Sequence, residues 1–520
     1  MKKRESKFEL FFLFLVLLIA SFLRLYRLKD FQFFSYDQAR DYLIVKRILV
    51  DHKLTLIGPS LALADGAYLP PLYYYFLAPF LLLSNFHLWG PDFLSALIGL
   101  GGIFVFYLLA EKMFGRKPAF YGSLFYVFNP YLIQTARHCR NPHWLPLTVL
   151  LFAFFLRKYL KTHDRKDLWL CSLFFGISLS LHITTIVFLP IFLYLIGVEI
   201  KKKNLTNVAV SLAIVVFFFS PLIIFDFRHN FRIGNALLVF FKNQGYFLEK
   251  FKRFFVFIPM IPIILFSGNF QKELLSLRSL PIMTLEKINF AGLSSVEFLK
   301  HWAGVFLLFL TSFFFFWGLK EKNNKEKFGY VFIFVFSGFF ISFLPSLNYS
   351  YFYYFYPLFP FLLLLLTGAI SVCLKILEKR FYLWLNLILI ILALFSFVPA
   401  GLKTETRPEN FFLPVAEVIA QDYSPFKKVA IAANINDINR WEKNGLEYRY
   451  FLEAFYRLPL GNWDVEDYKT ADVLYLIDEG NLPEPLKLGG MEMETFRPVK
   501  IEKAWEVKTG QKIYKMTRIQ

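Results

Sequence analysis

Charged residues are scarce in this chain of 520 residues, and cysteines are scarcer. Asp, Glu, Lys and Arg make up 19% of the sequence, against ~25% in an average soluble domain. Apolar residues make up 57%, above the ~45–50% of soluble domains. This composition excludes a soluble enzyme, a disordered chain and a collagen-like chain.

The three cysteines, Cys139, Cys171 and Cys373, are far apart and lie in or beside apolar segments. Their spacing gives neither a disulfide framework nor a CxxC metal pair. His138 and His143 are five residues apart, unlike the helical spacing of an HExxH zinc site. We therefore expect neither a metal nor a cofactor.

The apolar residues form runs close to the ~17–25 residues that cross a bilayer. Phe8–Leu23 resembles a signal peptide, but Arg24 and Arg27 follow it in place of a small-residue cleavage site, so we predict an uncleaved span. The sequence predicts a polytopic α-helical membrane protein with about 11–13 spans. The eleven clearest are residues 8–28, 92–110, 118–134, 144–160, 168–182, 184–199, 205–225, 301–319, 328–346, 352–374 and 381–400.

The net charge of +19 is confined to the part of the chain that contains these spans. Residues 401–520 hold 17 Lys and Arg against 19 Asp and Glu, which leaves 41 of the 58 basic and 20 of the 39 acidic residues in residues 1–400. Basic residues between apolar spans indicate topology and contact with anionic membrane lipid, so we expect no nucleic-acid partner.

The basic segments alternate with the spans and predict the orientation. By the positive-inside rule, the N-terminus and five short basic segments are cytoplasmic. We expect a cell-membrane protein whose domain 1–400 has outer loops 29–91 and 226–300, with residues 401–520 also outside. The cytoplasmic segments are Glu111–Lys117, Arg157–Asp167, Lys201–Lys203, Lys320–Lys327 and Lys375–Arg380.

The C-terminal 120 residues change in character. Strand-like runs at Lys428–Ala432, Val473–Ile477 and Lys512–Met516 are interrupted by a helical pattern at Ile435–Phe455. This alternation predicts a small extracytoplasmic α/β domain. The segment contains no GxGxxG or P-loop pattern, so a nucleotide site is not indicated.

Two acids and an arginine follow the first span, in Tyr36-Asp37-Gln38-Ala39-Arg40-Asp41-Tyr42. A helix from Asp37 to Val50 would place Asp37, Arg40 and Asp41 on one face. One interpretation makes Asp37 a helix cap and Asp41 a solvated charge. The other makes Asp37 a carboxylate near the bilayer surface that acts as a base or holds a cation.

Other polar groups fall on the same predicted face. The tyrosines after Pro70-Pro71 are also typical of an aromatic belt, and Arg137 and Arg140 suit a phosphate group. His182 and the Asp226–Arg228 segment each have a structural alternative, as a hydrogen-bonded residue and as a helix-capping pair. Convergence of these connections, with Asn348–Pro357, on one face favours a functional site.

These motifs resemble those of the GT-C superfamily of membrane glycosyltransferases, particularly the branch of protein O-mannosyltransferases and lipid A aminoarabinose transferases. Tyr36–Tyr42 looks like the family's acidic motif, with Gln38 at the position of the usual Glu. Leu69-Pro70-Pro71-Leu72-Tyr73-Tyr74 and Arg137–His143 resemble two further motifs, and Tyr353–Pro360 resembles a fourth that lacks its His. The likeness covers about residues 8–400.

The resemblance implies an inverting glycosyltransferase that moves one hexosyl or pentosyl unit from a polyprenyl-phosphate sugar at the outer membrane face. The acceptor is a hydroxyl or phosphate of a glycan, lipid or protein. The resemblance assigns Asp37 as the catalytic base. The expected substrate-binding residues are Gln38, Arg40, Asp41, Pro71, Tyr73, Arg137, Arg140, Asn141, His143, His182, Arg228 and Tyr354.

Two alternatives from other classes remain. A transporter or flippase of lipid-linked sugars would gather polar residues near the bilayer midplane and show repeat symmetry, neither of which is evident. A non-catalytic scaffold of the same fold is the second alternative, because Gln38 and His143 stand where the family has acids.

Overall fold

The computed structural model describes residues 2–61, 66–242, 295–343, 352–377, 381–396, 407–435, 442–480 and 482–519. Most of the predicted outer loop 226–300 lies outside these ranges. The predicted boundary between residues 400 and 401 also lies outside them.

The first 400 residues are helical wherever the structure describes them, apart from turns and connecting segments. The helices are α1 (Lys2–Leu25), α2 (Tyr36–Val50), α3 (Leu72–Leu83), α4 (Trp89–Phe114), α5 (Arg116–Phe128), α6 (Pro130–Thr135), α7 (Leu145–Thr162), α8 (Arg165–Leu181), α9 (Leu189–Lys201), α10 (Leu205–Arg228), α11 (Arg232–Lys242), α12 (Ser295–Lys320), α13 (Lys322–Phe339), α14 (Phe359–Ile376) and α15 (Tyr382–Ser396).

Within the described residues, each of the eleven predicted spans coincides with helical structure, and prolines explain three of the differences in bounds. Residues 344–346 and 397–400 of the predicted spans lie outside the described residues. The span predicted at 118–134 is interrupted because Pro130 follows Asn129, whose side chain caps α6. The span predicted at 184–199 begins with the 3₁₀ turn Ile183–Phe188, and α9 starts beside Pro190. Proline favours the first helical turn because its missing N–H has no partner there.

The span predicted from residue 352 begins as an α-helix only at Phe359, beside Pro360. Ahead of it, the described residues form the 3₁₀ turn Phe352–Phe355. Within the described residues, five helices are long and apolar enough to cross a membrane. They are Trp89–Phe114, Ile183–Lys201, Leu205–Arg228, Trp302–Lys320 and Phe359–Ile376.

The C-terminal residues form the predicted small α/β domain. Its elements are α16 (Glu409–Asp422), β1 (Val429–Asn434), α17 (Leu446–Phe455), α18 (Val465–Thr470), β2 (Val473–Asp478), α19 (Met491–Phe496), β3 (Val499–Glu506) and β4 (Lys512–Arg518). The strand order is β1-β2-β4-β3, with β1 and β2 parallel and the other pairs antiparallel.

Three of the four strands match the predicted runs, and β3 was not predicted. Most side chains of β3 are exposed, so the strand lacks the apolar run that marks β1 and β2. The helix predicted from Ile435 begins at Leu446. Gly445 precedes it with a φ of 57°, a left-handed conformation that favours glycine.

The chain divides by contact into two compact units. The first, here called the membrane unit, comprises Met1–Leu28, Thr55–Tyr75 and Asp92–Lys403; the second, the C-terminal unit, comprises Lys29–Leu54, Phe76–Pro91 and Thr404–Gln520. Parts of the predicted outer loop 29–91 therefore group with the C-terminal domain. This grouping arises because the α2 segment packs on C-terminal residues, and the predicted domain division at residue 400 stays a prediction.

Candidate functional site

The N-terminus of α2 is capped by Ser35 and Gln38. The side-chain oxygen of Gln38 accepts hydrogen bonds from the Ser35 backbone N–H at 3.2 Å and from the Ser35 hydroxyl at 3.1 Å. Gln38 is buried, and its reach back to the N-cap is the geometry of a capping box. The structure therefore gives Gln38 a capping role, and substrate contact by this residue stays a prediction.

Asp37 lies in the first turn of α2, and its side chain is 52% exposed. Because Ser35 is the N-cap, the interpretation of Asp37 as the helix cap is wrong. The carboxylate is still favoured at this end of the helix, where the backbone N–H groups carry partial positive charge. Asp37 is thus an accessible carboxylate that the capping geometry does not need.

Arg40 joins the two acids of the motif. Its Nη1 lies 3.4 Å from Oδ1 of Asp37, while its Nη2 and Nε each lie 2.9 Å from Oδ1 of Asp41. The Asp41 side chain is only 2% exposed, so it is not a solvated charge. The predicted shared face of Asp37, Arg40 and Asp41 is present, with Asp41 as the buried partner of Arg40.

In the membrane unit, Arg137 is buried against the end of α1. Its Nη1 donates to the carbonyl of Leu23 at 2.8 Å, and its Nη2 donates to the carbonyl of Tyr26 at 2.9 Å. Burial lowers the pKa of Arg137 to about 10, which still leaves it protonated at neutral pH. Arg137 therefore holds the C-terminal end of α1, and phosphate binding by this residue stays a prediction.

The segment that follows Arg137 folds back on itself. Nδ1 of His143 donates to the carbonyl of His138 at 2.5 Å, which leaves Nε2 as the acceptor of the neutral ring. Burial and the charge of Arg140 lower the pKa of both histidines, that of His138 to about 3. Both rings are therefore neutral at physiological pH, and Arg140 supplies the positive charge.

Three connecting segments of the membrane unit, near residues 141, 182 and 354, contact one another here. The Asn141 amide donates to the carbonyl of Leu181 at 2.7 Å, and the ring centroids of His143 and Tyr356 are 5.5 Å apart. The rings of His182 and Tyr354 are 5.4 Å apart. We call this the histidine–tyrosine cluster, and its members are Arg140, Asn141, His143, His182, Tyr354 and Tyr356.

His182 is fixed by its own turn. Its Nδ1 accepts from the Thr184 backbone N–H at 3.4 Å and lies 3.0 Å from the Thr184 hydroxyl. A ring that accepts at Nδ1 carries its proton on Nε2, so the turn sets the tautomer. His182 is therefore hydrogen-bonded within its turn and lies beside Tyr354, and substrate contact by this residue stays a prediction.

The proline–tyrosine motif, Leu69–Tyr74, contacts the segment 136–144 through Tyr73. Tyr73 is fully buried, with its hydroxyl 3.5 Å from Sγ of Cys139 and its ring 5.0 Å from that of Trp144. Pro71 is also buried and precedes α3, where its carbonyl accepts from the Tyr74 N–H at 3.0 Å. Tyr73 therefore supports this segment, and direct substrate contact by Pro71 and Tyr73 stays a prediction.

Arg228 is exposed at the C-terminal end of α10. Among the described residues its side chain makes no hydrogen bond or ion pair, so the structure does not join it to the histidine–tyrosine cluster. Asp226 accepts from the N–H of Ile233 at 2.6 Å and from Gly234. The expected capping role therefore holds for Asp226, which caps the following helix, and not for an Asp–Arg pair.

Asp92 was missed by the sequence analysis. It is 2% exposed, accepts the backbone N–H of Cys139 at 3.0 Å, and its charge favours the protonated form of Arg137. The feature of the sequence that could have identified Asp92 is an acid at the start of an otherwise apolar span. Within the described residues, no group of three or more His, Cys, Asp or Glu side chains could hold a metal ion, and the metal-free expectation stays a prediction.

A family profile described as dolichyl-phosphate-mannose-protein mannosyltransferase matches residues 69–225. That range includes the proline–tyrosine motif, Arg137, Arg140, His143 and His182. No curated protein matches the sequence.

Solved structures of membrane glycosyltransferases share the fold over nearly the whole chain. ArnT from Cupriavidus metallidurans in the apo state has 14% sequence identity and a TM-score of 0.61, and the match covers 98% of each chain. ArnT bound to undecaprenyl phosphate has 13% identity, a TM-score of 0.56 and the same coverage. The archaeal oligosaccharyltransferase AglB from Archaeoglobus fulgidus, in complex with an inhibitory peptide and a dolichol-phosphate, has 13% identity and a TM-score of 0.54, with coverage of 91% of this chain and 69% of AglB.

The chain is therefore a multi-pass membrane protein with the GT-C fold. The resemblance predicted from the motifs is confirmed at the level of the fold and the family profile.

Proposed function

We propose that this protein is an inverting glycosyltransferase that moves a single hexosyl or pentosyl unit from a polyprenyl-phosphate carrier to an acceptor hydroxyl or phosphate at the outer membrane face. The mannosyltransferase profile and the GT-C fold support the reaction class. ArnT bound to undecaprenyl phosphate and AglB in complex with a dolichol-phosphate support a lipid-linked donor.

The observation that carries the proposal is the half-exposed Asp37 carboxylate in the first turn of α2. A hydroxyl is a poor nucleophile until it loses its proton, because its pKa lies far above neutral. A positioned carboxylate accepts that proton as the acceptor oxygen bonds to the anomeric carbon. The bond from this carbon to the phosphate oxygen breaks in the same displacement, which inverts the configuration of the sugar.

Arg40 and Asp41 have a supporting role in this proposal. Arg40 contacts both acids, and the buried Asp41 holds two of its nitrogens. The Arg40 guanidinium is therefore fixed, and its contact with Asp37 orients the carboxylate. We assign proton transfer to Asp37 and orientation to Asp41, because only the Asp37 side chain is substantially exposed.

The departing polyprenyl phosphate gains negative charge as the sugar leaves, and we assign its stabilisation to Arg140. A guanidinium donates in two directions and stays charged, which suits a phosphate leaving group. The neighbouring histidines are neutral, so they offer hydrogen bonds without a second cation. We assign donor contacts to Asn141, His143, His182 and Tyr354 in the histidine–tyrosine cluster.

Purified protein incubated with a panel of polyprenyl-phosphate sugars tests the proposal. We expect sugar-dependent release of free polyprenyl phosphate together with a glycosylated acceptor of inverted anomeric configuration. Asp37→Asn protein at equal concentration is the matched control and should release little. Movement of intact lipid-linked sugar across vesicles without release of polyprenyl phosphate would instead identify a flippase.

A further inference from the structure

The C-terminal domain makes close contacts with α2, the helix that carries Asp37. Phe34, which is 1% exposed, lies just before this helix. Its ring centroid is 5.6 Å from that of Phe412, 5.4 Å from that of Tyr450 and 5.5 Å from that of Phe451. The Phe34 N–H also donates to the carbonyl of Arg407 at 3.1 Å. Aromatic packing of this kind holds the N-terminal end of α2 against α16 and α17.

Charged contacts hold the other end of α2. Glu453 on α17 has a side chain only 3% exposed, and it lies 3.1 Å from Arg47 and 3.7 Å from Lys46. Arg47 also donates to the side-chain oxygen of Asn462 at 2.8 Å. A buried carboxylate needs such partners, because an unpaired buried charge is strongly unfavourable. The last turns of α2 are therefore tied to α17 and the segment that follows it.

A third contact lies beside Asp37 itself. The Tyr36 hydroxyl makes hydrogen bonds with the side chains of Glu442 and Asn444, both in the segment that leads into α17. Burial and the charge of Glu442 raise the pKa of Tyr36 well above its usual value, so the hydroxyl keeps its proton and donates it. The helix is thus held just before its start, at its first residue and in its last turns.

We propose that Tyr36 and Glu453 are positioning residues through which the C-terminal domain holds α2, and with it the Asp37 carboxylate, in the orientation needed for proton transfer. The inference rests on the proposed function and gives the C-terminal domain a role in turnover. Proton transfer requires the base within hydrogen-bond reach of the reacting hydroxyl. A shift of about 1 Å in such a group can lower the rate by about 100-fold.

The test compares two Tyr→Phe variants that each remove one hydroxyl from a carboxylate contact. Tyr36→Phe removes the contact with Glu442 and Asn444. Tyr475→Phe is the matched control, because the buried Tyr475 donates to Asp422 at 2.7 Å elsewhere in the C-terminal domain. We expect Tyr36→Phe to lower kcat roughly 10- to 100-fold with the donor KM within about twofold. Tyr475→Phe should keep both values within about twofold.

Glu453→Gln provides a second variant and a readout that does not depend on activity. Hydrogen exchange of the backbone amides in α2 should be faster in this variant than in wild type, while the amides of β1 and β2 keep their protection. A merely structural contribution would raise exchange across the whole C-terminal domain and lower the yield of folded protein instead.

The outcomes separate the inference from the proposed function. If Tyr36→Phe and Glu453→Gln keep wild-type kcat while Asp37→Asn loses it, the positioning role is overturned and the proposed function stands. If Asp37→Asn also keeps wild-type turnover, the proposed base fails and the positioning role fails with it. Loss of kcat in Tyr36→Phe, with an unchanged donor KM and a normal Tyr475→Phe control, supports the inference.

Discussion

The side-chain oxygen of Gln38 accepts two hydrogen bonds from Ser35, at 3.2 Å from the backbone nitrogen and 3.1 Å from the hydroxyl oxygen. Ser35 and Gln38 therefore cap α2, and Asp37 takes no part in the cap. Glutamate and glutamine both serve at this position of a capping box. Gln38 therefore occupies a structural position that glutamate could also fill.

We predict that Gln38→Glu keeps both fold and turnover, because a carboxylate oxygen accepts the same two hydrogen bonds. Gln38→Ala should lower the free energy of unfolding by about 1 kcal/mol, the usual effect of losing a cap contact. Thermal unfolding in detergent and turnover, measured on the same preparations, check this. A folded Gln38→Glu protein without activity would mean that Gln38 contacts substrate.

Arg140 and Arg137 should respond differently to replacement by lysine. Arg140→Lys keeps the charge but loses the two-pronged donor, so donor KM should rise or turnover should fall while the protein stays folded. Arg137→Lys should chiefly lower thermal stability, because one ammonium cannot replace both contacts with the carbonyls of Leu23 and Tyr26. Unchanged turnover in Arg140→Lys would remove its assigned role.

Stability should fall on acidification because His138 is held neutral in the folded state. Its folded pKa is about 3, lowered by burial and by Arg140 and Arg137, whereas an unfolded histidine titrates near ~6.5. Below pH ~6.5 the unfolded state binds the extra proton, so this residue's contribution is complete above that pH and is lost as pH falls toward 3. The slope for one such group is about 1.4 kcal/mol per pH unit.

Thermal midpoints measured between pH 7 and pH 5 test this dependence. Wild type should lose stability across that interval, and His138→Gln should show a shallower slope because glutamine does not titrate. His52→Gln is the matched control at an exposed histidine. Equal slopes in all three proteins would contradict the neutral state of His138.

The membrane architecture was predictable because apolar length is a direct physical requirement for crossing a bilayer. In the parts of the chain that the structure describes, all eleven predicted spans coincide with helical structure. The errors lie at bounds set by local chemistry, such as Pro130 after Asn129 and Pro360 near the start of α14. Strand β3 escaped prediction because it has little apolar signal, since its exposed side chains are mostly charged.

The candidate site was predictable only in part. Arginine and histidine motifs indicated a polar face, and the structure joins Asn141, His143 and His182 through specific contacts. The sequence could not show that the Arg137 guanidinium donates hydrogen bonds to the backbone carbonyls of Leu23 and Tyr26. The grouping of α2 with residues 404–520 was also hidden, because it depends on contacts such as Phe34 with Phe412 between segments far apart in sequence.

The orientation of the chain remains a prediction from its basic segments. We expect the N-terminus to be cytoplasmic and residues 401–520 to lie outside. A protease-cleavable tag after Gln520 should be removed from intact cells once any outer barrier is opened, while the same tag at the N-terminus should be protected. The reverse pattern would contradict both the orientation and an outer-face reaction.

Turnover of the Asp37→Asn variant tests the central claim most directly. Asparagine keeps the size and polarity of the side chain but cannot accept the proton, and Asp41→Asn serves as the paired acid control. If Asp37 is the general base, kcat should fall by at least about 100-fold in Asp37→Asn, with donor binding kept and a smaller defect in Asp41→Asn. Near-wild-type turnover in a folded, membrane-inserted Asp37→Asn protein would contradict the account.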